Sequence, residues 1–173
     1  MATLIQQVIN GLSLGSVYAL IAVGYSLVYS ILLFSNFAHG GFLVIGGYIC
    51  YGTLRTFGTG IWFSGAIALA GAGFAAVLTE RLAYRPIRER TNVTLYLLIA
   101  SLGMSIVIEN IFVIVAGGRF RALPPVIPTT PVNLMGLATT SAFDLLSLVS
   151  AVVFLGALQL FLSKTRWGLA IRA

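Results

Sequence analysis

The first 54 residues carry no Asp, Glu, Lys or Arg, and the first formal charge is Arg55. A soluble domain needs charged side chains on the outer faces of its first elements, whereas a helix in hydrocarbon excludes them. One polar, glycine-ended interruption lies inside this uncharged stretch. It reads Ser35-Asn36-Phe37-Ala38-His39-Gly40-Gly41 and contains the single histidine of the sequence. The rest of the chain follows the same rule, with 59% hydrophobic residues, 8% charged residues and a mean hydropathy of +1.03. Too little polar surface remains to coat a soluble globule, so the composition predicts an integral membrane protein.

A hydrocarbon core about 30 Å thick, crossed at about 1.5 Å per residue, requires roughly 20 apolar residues per helical span. The hydropathy pattern predicts spans at residues 4–28, 37–54, 61–82, 94–115 and 143–162, with loops at 83–93 and 117–141. Alternation of apolar and polar residues, the mark of a membrane barrel strand, is missing. The expected fold class is therefore all-α and polytopic, with about five transmembrane helices. The opening apolar run continues to Phe34, which as one helix is about 45 Å long and too long for an upright span. A tilted helix followed by a short re-entrant break near residues 35–41 fits that length better.

Basic residues set the expected orientation. Arg81, Arg85, Arg88, Arg90, Lys164, Arg166 and Arg172 fall on one side of the predicted spans, and Arg55, Arg119 and Arg121 on the other. The first side is predicted to be cytoplasmic, with the N-terminus outside and the C-terminus inside. The net charge of +6 then reads as topology and not as a nucleic-acid surface, because basic residues are not interleaved with aromatics. Trp62 and Trp167 fall where interfacial aromatic anchors belong. The first segment lacks a basic n-region and exceeds a typical signal-peptide core, so no cleavable signal peptide is predicted. Cys50 is the one cysteine, which excludes an intrachain disulfide framework.

Candidate functional residues are polar groups set among apolar ones. At the break, Asn36 and His39 would share a face if helical, and Gly40 and Gly41 permit an unwound backbone. Irregular backbone at membrane depth survives only where protein or a water-filled cavity satisfies it. The break reads either as a half-helix at a translocation pathway or as a kink held by a His39 hydrogen bond. Glu109 and Asn110 interrupt the fourth span, with Ser105 and Ser101 about one and two turns earlier. They read either as groups facing a water-filled path or as a polar contact across a packed interface. Gly11 and Gly15, four residues apart, suit close packing of helix backbones, within the chain or against a partner. Gly46, Gly47, Gly71 and Gly73 are further close-approach candidates. In the 117–141 loop, Pro124, Pro125, Pro128 and Pro131 predict extended chain, and Ser141 followed by Asp144 predicts a capping box at the start of the last helix.

The sequence contains no zinc-protease pattern, nucleophile elbow, phosphate-binding loop or pair of intramembrane aspartates. No catalytic residue, metal site or cofactor is therefore predicted, and energy for any transport must come from an ion gradient or another polypeptide.

Several of these segments resemble one family. The run from Gly11 to Tyr29 (GLSLGSVYALIAVGYSLVY), followed by Asn36-Phe-Ala-His-Gly40, resembles the opening of branched-chain amino-acid ABC transporter permeases of the LivH type. Glu80 to Arg88 (ERLAYRPIR) is similar to that family's first large cytoplasmic loop. Leu98-Ile99, Gly103-Met104-Ser105 and Asn110 are similar to its next helix. Arg166 to Ala173 (RWGLAIRA) is similar to the segment before the loop that engages the ATPase.

The resemblance implies a permease of an ATP-driven importer in the bacterial inner membrane. Its implied partners are a second permease subunit, two ATP-binding subunits, a periplasmic substrate-binding protein and membrane lipid, with no nucleic acid. It implies that Arg85, Arg88 and Arg172 lie near the ATPase and that the 117–141 loop lies near the binding protein. Substrates implied are leucine, isoleucine and valine, with urea or a short amide as the alternative in the same family. The family's coupling helix follows the equivalent of Arg172, so the sequence also fits a truncated, non-transporting remnant, one half of a split permease or an incomplete sequence. An independent small channel is the remaining alternative.

Overall fold

The computed structural model describes residues 2–58, 60–117, 131–134, 138–165 and 168. They comprise helices α1 (Ala2–Leu32), α2 (His39–Phe57), α3 (Ile61–Thr79), a π-helical segment (Glu80–Tyr84), α4 (Arg85–Arg90) and α5 (Thr94–Ala116). Strands β1 (Pro131–Leu134) and β2 (Ala138–Ser141) and helix α6 (Ala142–Lys164) complete the set. The contacts divide the chain into two units, one of residues 1–31 with 127–173 and one of residues 32–126.

The first unit contains α1, the hairpin and α6. Helix α1 is unbroken for 31 residues, about 46 Å at the usual rise, because no proline or charge interrupts it. Strands β1 and β2 pair antiparallel, with Pro131 opposite Ser141 and Leu134 opposite Ala138. The capping box forms at the start of α6. Ser141 Oγ accepts from the Asp144 amide at 3.2 Å, and Asp144 Oδ2 accepts from the Ser141 amide at 3.3 Å. Two orphan donors of the first turn are thereby satisfied, with the carboxylate at the positive end of the helix dipole.

In the second unit, α2 and α3 pack side by side through glycine. A Cβ on Gly46 would touch Ala72 Cβ at 3.7 Å, and one on Gly71 would overlap Ile49 Cδ1. Helix α2 also leans on α5, where Tyr48 and Phe112 stack with ring centroids 4.7 Å apart. Phe34, Tyr84 and Leu97 form the buried cluster, flanked by Leu32, Ala83, Ile87, Ala100 and Met104.

Three differences from the sequence reading have local causes. The loop expected at 83–93 is helical as far as Arg90, so only residues 91–93 connect α4 to α5. Pro86 has no amide to continue the α-helical ladder. The chain accommodates it by widening to a π turn, in which the Arg85 amide donates to Glu80 O. The break holds no helical piece of its own, and Gly40 and Gly41 lie in the first turn of α2 instead of in unwound backbone. Leu33 at φ 59° turns the chain out of α1. Finally, among the described residues four helical stretches are long and apolar enough to cross a membrane: Leu4–Leu32, Ile61–Arg90, Thr94–Ala116 and Ala142–Lys164. Helix α2 is not among them, since glycines and Arg55 dilute its hydropathy. No more than 11% of the defining window in any of the four is buried within the chain, an apolar exposure suited to lipid and not to water.

Candidate functional site

The polar break is held by side chains from two distant elements. Residues 33–38 leave helical geometry, so their amides and carbonyls lose ladder partners in a setting where each unsatisfied group is costly. Asn36 replaces part of that ladder. It is 5% exposed, and its Oδ1 accepts from the Ala38 amide at 3.1 Å and from the Tyr84 hydroxyl at 2.8 Å. The Asn36 carbonyl accepts from the His39 amide at 3.2 Å, which starts α2.

Ser101 supplies the second clasp, from the third turn of α5. It is fully buried, with its Oγ 3.2 Å from Ser35 O and 3.2 Å from the Phe37 amide. The same hydroxyl reaches Leu98 O at 2.8 Å. A hydroxyl has one proton, so it donates to one of the two carbonyls at a time while accepting from Phe37. Phe34 packs edge-on against the Tyr84 ring, with centroids 5.5 Å apart and planes at 88°. This arrangement favours aromatic pairs electrostatically and fixes the ring that carries the hydroxyl.

Beside the break, Gly41 lets α2 approach α5. A Cβ there would stand 3.0 Å from Ile108 Cδ1 and Cγ2, closer than ordinary van der Waals contact. Gly40, its neighbour, is exposed and has open space around it. His39 is half-buried at the start of α2. On α5, Glu109 and Asn110 are exposed. Glu109 Oε1 accepts from Ser105 Oγ at 3.1 Å, and Asn110 Nδ2 donates to Ile106 O at 2.8 Å. Both bonds stay within one helix, so the expected polar contact across an interface is absent among the described residues.

The segment that ends the long α3 helix carries the charges. Arg88 pairs with Glu80 at 2.8 Å across the π turn, and Arg85 pairs with Glu89 at 2.8 Å one helical turn on. These exposed pairs contribute little to stability, because solvent screens them. Tyr84 lies within the stretch that the Glu80–Arg88 pair spans.

The family model described as the branched-chain amino acid transport system permease component matches residues 7–173. The chain belongs to this family. It is 38% identical to the high-affinity branched-chain amino acid transport system permease protein LivH of Escherichia coli, over 98% of this chain and 58% of that protein. It is 35% identical to the corresponding protein BraD of Pseudomonas aeruginosa, again over 98% of this chain and 58% of the relative. A probable LivH of Methanocaldococcus jannaschii is 24% identical over 89% of this chain and 49% of its own length. The chain thus spans a little over half the length of the curated bacterial relatives it matches. No solved structure matches it. Family membership and the exposed apolar helices together make this an all-α, multi-pass membrane protein.

Within this permease the predicted residues separate into two groups. Asn36 and Gly41 are buried and engaged inside the chain, and Asn36 shares no helical face with His39 because it precedes α2. Gly40, Glu109 and Asn110 are open to the surroundings of the chain. Gly11 and Gly15 are also exposed, and a Cβ at either meets nothing within 4 Å. Arg172, Trp167 and residues 118–130 of the long loop lie outside the described residues. Sequence reasoning missed Tyr84 as a partner of the break. The available signal was one aromatic hydroxyl in a run otherwise made of charged and aliphatic residues.

Proposed function

We propose that this chain is a permease subunit, or part of one, of an ATP-driven importer for branched-chain amino acids, and that it forms part of the translocation pathway. The observation that carries this reading is the family match over residues 7–173, joined to close relatives named as high-affinity branched-chain amino acid permeases. Two ATP-binding subunits hydrolyse ATP, a second permease subunit completes the pore and a periplasmic binding protein delivers the solute. The N-terminus lies outside the bacterial inner membrane and the C-terminus in the cytoplasm, as the positive-inside distribution suggests.

Gly40, Glu109 and Asn110 face the pathway in this reading, with His39 at its edge. Their support is chemical. A carboxylate exposed on an apolar membrane helix is costly in lipid and is favoured beside water or a polar partner. Gly40 and Glu109 are the open sequence neighbours of the contacting pair Gly41 and Ile108. Asn36 and Gly41 hold the break in place. Arg85, Arg88 and Arg172 belong to the ATPase-facing side, and Gly11 with Gly15 forms a contact with the second permease subunit.

The Tyr84 bond gives this reading a route for coupling. A shift of residues 80–90 on ATPase engagement would draw the Tyr84 hydroxyl and, through Asn36, the break. Uptake of labelled leucine and of urea into vesicles tests the proposal, with the chain reconstituted alongside its ATP-binding, permease and binding-protein partners. ATP-dependent leucine uptake that falls when Glu109→Gln is introduced is the expected result. Solute uptake by the purified chain without any ATPase would overturn it.

A further inference from the structure

The α4 end and the first turns of α5 border an open groove of about 380 Å³, lined by Ile87, Arg90, Thr91, Tyr96, Ile99 and Ala100. The surface it exposes is almost wholly apolar, and Arg90 is the charged residue along its lining. The neighbouring charges are already matched, since Glu80 is taken by Arg88 and Glu89 by Arg85. Arg90 is exposed and takes part in neither ion pair among the described residues.

Position adds a second constraint. The stretch Ile61–Arg90 has 30 residues, or about 45 Å of helix, against a hydrocarbon core of about 30 Å. Its charged end must therefore emerge at the headgroup level, and α5 re-enters the membrane from Thr94. Ile99 and Ala100 lie five and six residues into α5, within about 9 Å of its start along the axis. The groove thus straddles the boundary between headgroup and acyl chain, with the tyrosine that such a boundary favours.

We propose that this groove is a binding site for an anionic phospholipid, with an acyl chain against Ile87, Ile99 and Ala100 and the phosphate on the Arg90 guanidinium. The guanidinium fork suits phosphate oxygens, and a zwitterionic headgroup offers no net charge to complement it. The site does not depend on which solute the permease carries.

Native mass spectrometry of the detergent-purified chain, titrated with phosphatidylglycerol and with phosphatidylcholine of the same acyl composition, tests the proposal. Wild type should retain phosphatidylglycerol about fivefold more strongly, the worth of one well-placed cation. Arg90→Gln should bring the two lipids level, and Arg90→Lys should restore most of the preference. Ile99→Ser, at an exposed wall position, should lower retention of both lipids, while Arg81→Gln should change neither. Circular dichroism confirms that each variant is folded. An unchanged preference in Arg90→Gln, or an equal loss in Arg81→Gln, would overturn the site. So would a dimer of the chain that excludes lipid and depends on Ile99, since a second copy would then occupy the groove.

Discussion

The Tyr84 hydroxyl donates to Asn36 Oδ1 at 2.8 Å, joining residues 48 positions apart in sequence. One partner closes the π turn beneath the charged segment and the other forms the non-helical break before α2. The Asn36 side chain is a local turn-former that also serves as the anchor for a remote element.

Replacing Tyr84 with Phe removes this bond and keeps the ring against Phe34. Asn36 Oδ1 retains the Ala38 amide, so the expected cost is about 1 kcal/mol, toward the lower end for a buried polar group losing a partner. Hydrogen exchange of the Phe37 and Ala38 amides should quicken. Combined with Ser101→Ala, the two losses should be non-additive, because both residues restrain the same six-residue turn. Additive changes would show that the clasps act independently.

At Gly41 the margin is narrow. A Cβ would press on Ile108 at 3.0 Å, and Gly41→Leu should cost about 1–3 kcal/mol through overpacking. Ile108→Ala in the same chain should recover part of that loss. Gly40→Ala, one residue away in open space, should leave the unfolding midpoint unchanged or slightly raised.

Leu33 adopts φ 59°, a left-handed conformation that costs a β-carbon-bearing residue roughly 1–2 kcal/mol. Its side chain is 74% exposed, so little packing is lost on truncation. Leu33→Gly should therefore raise thermal stability in detergent, whereas Leu33→Ala should not.

Gly11 and Gly15 behave differently alone and in company. In the isolated chain nothing opposes a Cβ, and Gly→Ala at either site should stabilise α1 by about 0.5–1 kcal/mol. In the assembled importer the same changes should reduce the recovery of the two-permease complex on size exclusion, if these glycines meet the second subunit.

Removal of the capping hydroxyl at Ser141 offers a local control. Ser141→Ala should cost about 1 kcal/mol and fray the first turn of α6. Ser141→Asp should retain most of the stability, since an aspartate caps equally well.

Hydropathy was sufficient for the long apolar helices, and the Ser141–Asp144 pattern for the start of α6, because transfer into hydrocarbon and end-capping depend on a residue's own type and near neighbours. The end of α3 was not legible. A local reading stops the helix before Pro86, but the chain tolerates the missing amide by widening one turn. The site was half legible in the same way. Asn36 stood out as an amide among apolar residues, yet the sequence left open whether it sat in a half-helix with His39 or at a kink.

Asn36, His39, Glu109 and the basic residues are informative because each is costly in a membrane wherever it lies, and that cost is written in composition. Which of them turn inward depends on partners far along the chain. Only the approach of Tyr84 and Ser101 made Asn36 a buried anchor, and only the contact of Gly41 with Ile108 left Gly40 and Glu109 open beside it. Sequence determined the solvent this chain must live in, through the free energy of each side chain in hydrocarbon. Tertiary structure decided which polar groups satisfy one another, because hydrogen bonds act over about 3 Å and depend on elements that meet only after folding.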